Sequence, residues 1–209
     1  MIIISHRGYW KTSDEKNTST AFQRSFDLGF GTETDVRDCK GDLLISHDMP
    51  SGKEISLEQS IDVLAGRNLP LAINIKSDGL AGMLGEIMRK RQVQNWFVFD
   101  MSIPDMRSHL NVGNPVFTRM SEIELEPAYL EESEGVWLDM FASQWYDTSV
   151  IESLLNRGKQ VCIVSSELHG KTPSGLWDSL RTIADNPNLL LCTDQPESAR
   201  QYFFDSVAN

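Results

Sequence analysis

The chain has 209 residues, 40% of them apolar, with five tryptophans, enough for a sizeable core in one domain and near the lower limit for a closed α/β barrel. Its 19 Lys and Arg against 30 Asp and Glu leave a formal charge of −11, which argues against a nucleic-acid partner, because phosphate backbones demand basic patches. Three cysteines without CxxC spacing suggest no disulfide framework or zinc site and fit reduced thiols. With no basic leader and no apolar run near the ~20 residues of a membrane span, a cytoplasmic protein without stable membrane insertion is expected.

Short apolar runs recur along the chain: Ile2–Ile4, Gly31–Val36, Leu43–Ser46, Leu71–Ile75, Trp96–Phe99, Val116–Thr118, Val136–Leu138, Val161–Val164 and Leu189–Cys192. Each has strand length, and most are near-continuous in apolar residues, as strands covered on both faces are. Helical patterns lie between them at Thr18–Leu28, Leu57–Leu64, Gly79–Arg91, Thr148–Asn156 and Gly175–Ala184. Leu43–Ser46 follows its neighbour after only "RDCKGD" and reads as a hairpin arm, which leaves eight strands. Alternation of this kind predicts a TIM (β/α)8 barrel, in one domain spanning 1–209, over a doubly wound sheet. Polar residues follow most of the strands, as sites ringing the C-terminal ends of barrel strands require. The basic run Arg89, Lys90 and Arg91 reads as a solvated helix end.

The chemistry concentrates at those strand ends. In "GTETDVRD", Glu33 and Asp35 are two apart on a strand and project to one side. Two carboxylates so close repel unless a cation lies between them, and a hard divalent ion such as Mg²⁺ or Ca²⁺ takes such oxygen ligands. The alternative is a solvent-facing strand edge with Arg37 as partner. His6 in "MIIISHRG" and His47 in "LLISHDMP" each close an apolar run, an arrangement suited to a general acid and a general base, with Asp48 placed to orient a neighbour. In "LPLAINIKSDG", Asn74 and Lys76 face one way, and a lysine at a barrel mouth needs anions there; the alternative is a solvated Lys76 just past the strand.

Five stretches, "SHRG", "NTSTAF", "GTETDVRDCKGDLLISHD", "INIK" and "CTDQPESAR", resemble in order and spacing the glycerophosphodiester phosphodiesterase family over nearly the whole chain. The resemblance implies a TIM barrel that hydrolyses a small-molecule phosphodiester with a divalent cation. Carried over by position, it places His6 and His47 as the acid/base pair, Arg7 on phosphate, Glu33 and Asp35 as metal ligands, and Lys76 near the metal and the scissile phosphate.

Three departures accompany the match. Lys16 stands where the family usually has Glu before the NT pair, and Asn74 stands where a third metal-binding carboxylate is expected. An amide oxygen still ligates Mg²⁺ or Ca²⁺ but removes a unit of negative charge, so Asp100, Asp139 and Glu167, which follow predicted strands, are further candidates. Only the 22 positions from Met49 to Pro70 separate the HD motif from the next strand, where family members typically carry an inserted subdomain. The organisation also resembles the bacterial phosphatidylinositol-specific phospholipase C group, which does not use a metal in the same way.

The expected activity is therefore divalent-metal-dependent phosphodiester hydrolysis by His/His acid–base catalysis. The alternatives are a barrel that binds a phosphorylated ligand without turnover, or a metal-independent phospholipase C-like enzyme. Trp137, Phe141, Trp145 and Tyr146 are read as core and helix packing rather than a lipid-binding rim.

Overall fold

A computed structural model describes residues 1–204. Nine strands are β1 (Ile2–His6), β2 (Gly31–Cys39), β3 (Asp42–Ile45), β4 (Leu71–Ile75), β5 (Trp96–Phe99), β6 (Phe117–Met120), β7 (Gly135–Leu138), β8 (Gln160–Val164) and β9 (Leu189–Thr193). The helices are α1 (Ser19–Asp27), α2 (Leu57–Leu64), α3 (Ala81–Lys90), α4 (Ile103–Asn111), α5 (Thr148–Asn156), α6 (Ser174–Leu180) and α7 (Pro196–Phe203). Eight of the strands run parallel and, except between β6 and β7, are separated by helices, the (β/α)8 class that the sequence pattern predicts. The chain divides into two compact units, one of residues 6–116 and one of residues 1–5 with 117–209.

In the unit of residues 6–116, β4 lies between β2 and β5 in parallel register, with Asp35 opposite Asn74 and Ile73 opposite Val98. All five residues of β4 are buried, which explains its Leu-Ala-Ile-Asn-Ile composition: only a strand covered on both faces needs so little polarity. β3 pairs antiparallel with β2, confirming the hairpin arm. The strands run further than the composition of "RDCKGD" predicts, with Cys39 opposite Asp42, and the turn is the two residues Lys40 and Gly41 at φ 53° and 94°. Positive φ at both positions is the twist-matched hairpin geometry, and Gly41 adopts it without Cβ strain.

The helices of this unit start where capping chemistry dictates. Thr18 caps α1 by accepting from the Ala21 N–H, and Ser56 with Gln59 forms a reciprocal capping box at α2. α1 buries Ala21, Phe22 and Phe26 and packs on β2 and α2. α4 was absent from the helical patterns above because Ile103–Asn111 has a weak apolar stripe. Its start is nevertheless marked by Ser102, whose hydroxyl accepts from the Asp105 N–H, and by a proline in the first turn. Arg91, just past α3, pairs with Asp62 at 2.9 Å, so the basic run is a helix end with acidic neighbours.

In the second unit, parallel β1, β9, β8, β7 and β6 follow one another in that order, with Ile4 opposite Cys192 and Cys162 opposite Leu190. β9 is fully buried and β8 nearly so. Residues 121–134, between β6 and β7, form turns and bends and carry no helix. β6 starts at Phe117 rather than Val116, whose single bridge is to Val98. Among the four aromatics read as packing residues, Trp137 and Tyr146 are buried, Trp145 is half-buried, and Phe141 is exposed, contrary to the packing expectation. Phe141 lies on a segment beyond β7, where its ring makes an edge contact with His169 and has the Arg119 guanidinium 5.8 Å from its centre.

Candidate active site

The residues singled out at the first, second and fourth strands come together within residues 6–116. β1 ends on His6, and the chain turns immediately through Arg7 and Gly8, both at positive φ (57° and 79°). The turn is tied to the start of α1: the Tyr9 N–H donates to the Ala21 carbonyl at 3.0 Å, and the Asn17 N–H donates to the Arg7 carbonyl at 2.9 Å. Gly8 is required there. A Cβ would meet Ala21 Cβ at 2.7 Å and Phe22 Cδ1 at 2.9 Å, in a backbone region that side chains rarely adopt.

This turn lays Arg7 across the two carboxylates of β2. Its backbone N–H donates to Glu33 Oε2 at 3.0 Å, and its Nε lies 3.0 Å from Asp35 Oδ2. Lys76, one residue past β4, brings Nζ to 3.4 Å from Asp35 Oδ1. Asn17 completes the surroundings, donating through Nδ2 to Asp35 Oδ2 at 2.8 Å and accepting through Oδ1 from the Thr34 hydroxyl at 2.9 Å. Both carboxylates are buried, Glu33 at 1% and Asp35 at 0% exposure. The solvent-facing strand edge is thereby ruled out, and Arg37 does not pair with them; its Nε donates to the His47 carbonyl instead. Lys76, at 20% side-chain exposure, is not a solvated residue either.

Burial pushes the Glu33 carboxyl up to about 7, and the Asp35 carboxylate adds to the shift, while His6 and Arg7 oppose it. His6 Nε2 lies 3.9 Å from Glu33 Oε2. A buried carboxyl that is this reluctant to ionise, beside a second carboxylate, is a group that a further cation would stabilise. Asp35 Oδ1, ion-paired with Lys76 at 3.4 Å, and Asn74 Oδ1 are both buried and accept no well-directed hydrogen bond, and their residues are register partners on β2 and β4. These oxygens, with those of Glu33, are the donor type of a hard divalent cation. Among the described residues, no three His, Cys, Asp or Glu side chains come together in a metal-holding group.

His47 follows β3 on the same unit. Its Nδ1 is 2.9 Å from Asp48 Oδ1, and the two side chains are 45% and 94% exposed. The hydrogen bond from His47 draws the Asp48 carboxyl below its ordinary value. A pocket of about 560 Å³ is lined by Arg7, Lys16, Asn17, His47 and Lys53 among others. Asp100, at φ 63°, accepts from Asn74 Nδ2 at 3.3 Å. It therefore fixes the amide of Asn74 and turns Oδ1 away from itself. Ser102 serves as the α4 cap and donates to Asp78.

Asp139 and Glu167 belong to the other unit and have partners there. Asp139 Oδ1 is 2.7 Å from His169 Nε2 and accepts from the Met140 N–H. Glu167 accepts from the Ser165 and Thr193 hydroxyls and from the Asp194 N–H. His169, at the end of a 3-10 turn over Ser166–His169, thus has a carboxylate partner. Asn17 is the residue that reading by residue type passed over. It stands in the "NTSTAF" motif, yet nothing local shows that its amide would bridge two side chains of β2.

No protein-family model matches the chain, and no curated protein sequence does. Solved structures do match. A glycerophosphodiester phosphodiesterase from Agrobacterium tumefaciens aligns over 96% of this chain and 99% of its own, with a TM-score of 0.73 at 17% identity. A phosphodiesterase from Oleispira antarctica, in complex with the product sn-glycerol-3-phosphate, covers 97% and 96% with a TM-score of 0.71 at 14% identity. A glycerophosphoryl diester phosphodiesterase from Parabacteroides distasonis covers 98% and 86% with a TM-score of 0.68, also at 14% identity. At such identities the likeness is one of fold, and the chain has the (β/α)8 fold that these phosphodiesterases share.

Proposed function

We propose that the protein is a phosphoric diester hydrolase acting on a small glycerophosphodiester-like substrate. The observation that carries this reading is the convergence of Arg7, Lys76 and His6 on the buried Glu33–Asp35 pair. A fold shared with phosphodiesterases supports it but does not by itself select an activity.

In this reading Arg7 and Lys76 hold the nonbridging phosphate oxygens and share the charge that develops as the phosphorus is attacked. One histidine takes the proton of the nucleophile, a water or a hydroxyl of the substrate, and the other returns a proton to the departing alkoxide. Asp48, 2.9 Å from His47 Nδ1, holds that imidazole in the tautomer whose Nε2 is free to accept. Glu33, Asp35 and Asn74 would hold a divalent cation, Mg²⁺ or Ca²⁺, which supplies Lewis-acid polarisation of the phosphoryl oxygen when bound. Among the described residues Cys39, Cys162 and Cys192 form no disulfide, as a cytoplasmic setting would keep them, and no helix is long and apolar enough to cross a membrane.

Hydrolysis of a panel of glycerophosphodiesters and a chromogenic diester across divalent cations tests the proposal, with His6→Ala as control. Turnover lost in the control supports it, and the same turnover in both proteins refutes it.

A second reading has one specific observation in its favour. Asp35 already meets two cationic side chains, Arg7 and Lys76, so its charge is compensated without a metal. A metal-independent phosphodiesterase, or a barrel that binds a phosphorylated ligand without turnover, follows from that balance. Asn74→Glu separates the readings. Activity that appears or rises with added cation in this variant assigns the deficit to the missing carboxylate, whereas chelator-resistant activity of the parent establishes the metal-independent route.

A further inference from the structure

Besides Arg7, which is paired with Asp35, the wall of the pocket beside His47 carries two further cations. Lys16 and Lys53 both line it. Lys16 is held in place: its Nζ lies 4.3 Å from the centre of the Trp10 ring, and the Trp10 indole N–H donates to the His6 carbonyl at 3.2 Å. The ring therefore presents the ammonium next to the strand end that carries His6, and a cation–π contact leaves its three N–H donors available. Lys53 stands on a turn pinned by Glu54, whose carboxylate accepts from the N–H groups of Ser51, Gly52 and Lys53 at 2.9–3.0 Å.

The acids on the pocket wall are already engaged. Glu54 is committed to those N–H groups and to the Ser51 hydroxyl, which hold its carboxyl down at about 2, and Asp48 is engaged with His47. Both acids stay ionised, but their oxygens are taken by these other donors, which leaves the ammonium groups of Lys16 and Lys53 to a bound anion in a chain whose formal charge is −11. The overall field of such a chain repels anions, so capture of one depends on direct contact with ammonium groups like these.

We propose that this pocket seats a second anionic group of the substrate, a carboxylate or phosphomonoester on its headgroup, between Lys16 and Lys53. The inference rests on the phosphodiesterase reading and narrows its substrate class to diesters with a negatively charged headgroup.

Two glycerol phosphodiesters of near-equal size test it, one esterified to glycolic acid and one to ethylene glycol. Partly exposed charge pairs of this kind predict a kcat/KM ratio of about ten in favour of the glycolate diester, expressed mainly in KM. The ratio should fall to about one in Lys16→Gln/Lys53→Gln and shrink in about 0.5 M salt, where the Debye length is about 4 Å. In parallel, calorimetry compares 2-phosphoglycolate with ethyl phosphate on both proteins. Turnover without a preference, or a preference that survives in the double variant, overturns the proposal and leaves the phosphodiesterase reading standing. No turnover of either diester, with 2-phosphoglycolate binding that depends on the two lysines, overturns the phosphodiesterase reading and retains the anion pocket. No turnover and no lysine-dependent binding overturns both.

Discussion

Arg7 and Asp35 form the central ion pair of the candidate site, with Arg7 Nε 3.0 Å from an Asp35 oxygen and the carboxylate wholly buried. The pair joins the turn after β1 to the middle of β2, so one contact both stabilises the unit and aims a guanidinium at the site. Removing the cation should therefore affect both. Arg7→Ala leaves a buried carboxylate to Lys76 and Asn17, at a cost of about 3 kcal/mol at neutral pH. Arg7→Lys, which keeps the charge but not the planar fork, should recover much of the stability and little of the activity. Urea denaturation of the two variants beside the parent reads the first effect, and equal stability of parent and Arg7→Ala would show that Asp35 finds its compensation elsewhere.

Glu33 predicts an unusual pH dependence for the metal-free protein. Its folded carboxyl titrates near 7 against an ordinary 4.5, so between these values the native state holds a proton that the unfolded chain has released. Stability must then fall as pH rises through that window, by an amount of the order of 3 kcal/mol. Glu33→Gln should abolish this slope and be the more stable protein at pH 8 in chelator. Denaturation midpoints at pH 5 and pH 8 decide the matter: an unchanged slope in the variant would assign the effect to another group.

The two histidines should separate function from folding. His47 is nearly half exposed, so His47→Ala should leave the denaturation midpoint unaltered while lowering kcat/KM by about 10²–10⁴-fold. His6→Ala should lower activity as much. If the pair acts as acid and base, the parent gives a bell-shaped pH–rate profile and each variant loses one limb. Retention of both limbs in either variant would remove that histidine from the mechanism.

Gly8 predicts a purely steric defect. Gly8→Ala forces a Cβ against α1 at positive φ and should destabilise by about 3 kcal/mol. Since the same turn carries Arg7, activity should fall at temperatures where the variant is still folded. Crystallography of the variant would show whether the turn moves off α1; a turn left in place with full activity would contradict this account.

Much of this arrangement is legible in the amino-acid order because the relevant forces are local. Continuous apolar runs of strand length, capping hydroxyls at Thr18 and Ser56, and the close spacing of Leu43–Ser46 behind its neighbour each act over a few residues. The strand-end placement of His6, the shared face of Glu33 and Asp35, and the position of Lys76 just past β4 follow from the same periodicity. The helix at Ile103–Asn111 is hidden by its thin apolar stripe, though a serine cap and a proline in the first turn mark its start; Pro196–Phe203, absent from the helical patterns, also has a proline in its first turn.

Partner choice among the charged groups was decided elsewhere. Nearest-neighbour reasoning pairs Asp35 with Arg37, two residues on along the same strand, but the left-handed turn at Arg7 and the position of Lys76 past β4 give the carboxylate to Arg7, Lys76 and Asn17, while Arg37 Nε donates to the His47 carbonyl. The facing of Asp35 and Asn74 depends on the register of two strands nearly forty positions apart, and the His169–Asp139 pair depends on two connections that follow different strands. The sequence by itself determined which residues stand at strand ends, since hydrophobic periodicity and capping are short-range. Tertiary structure alone decided which charges meet, because register and loop closure are settled by packing the whole sheet.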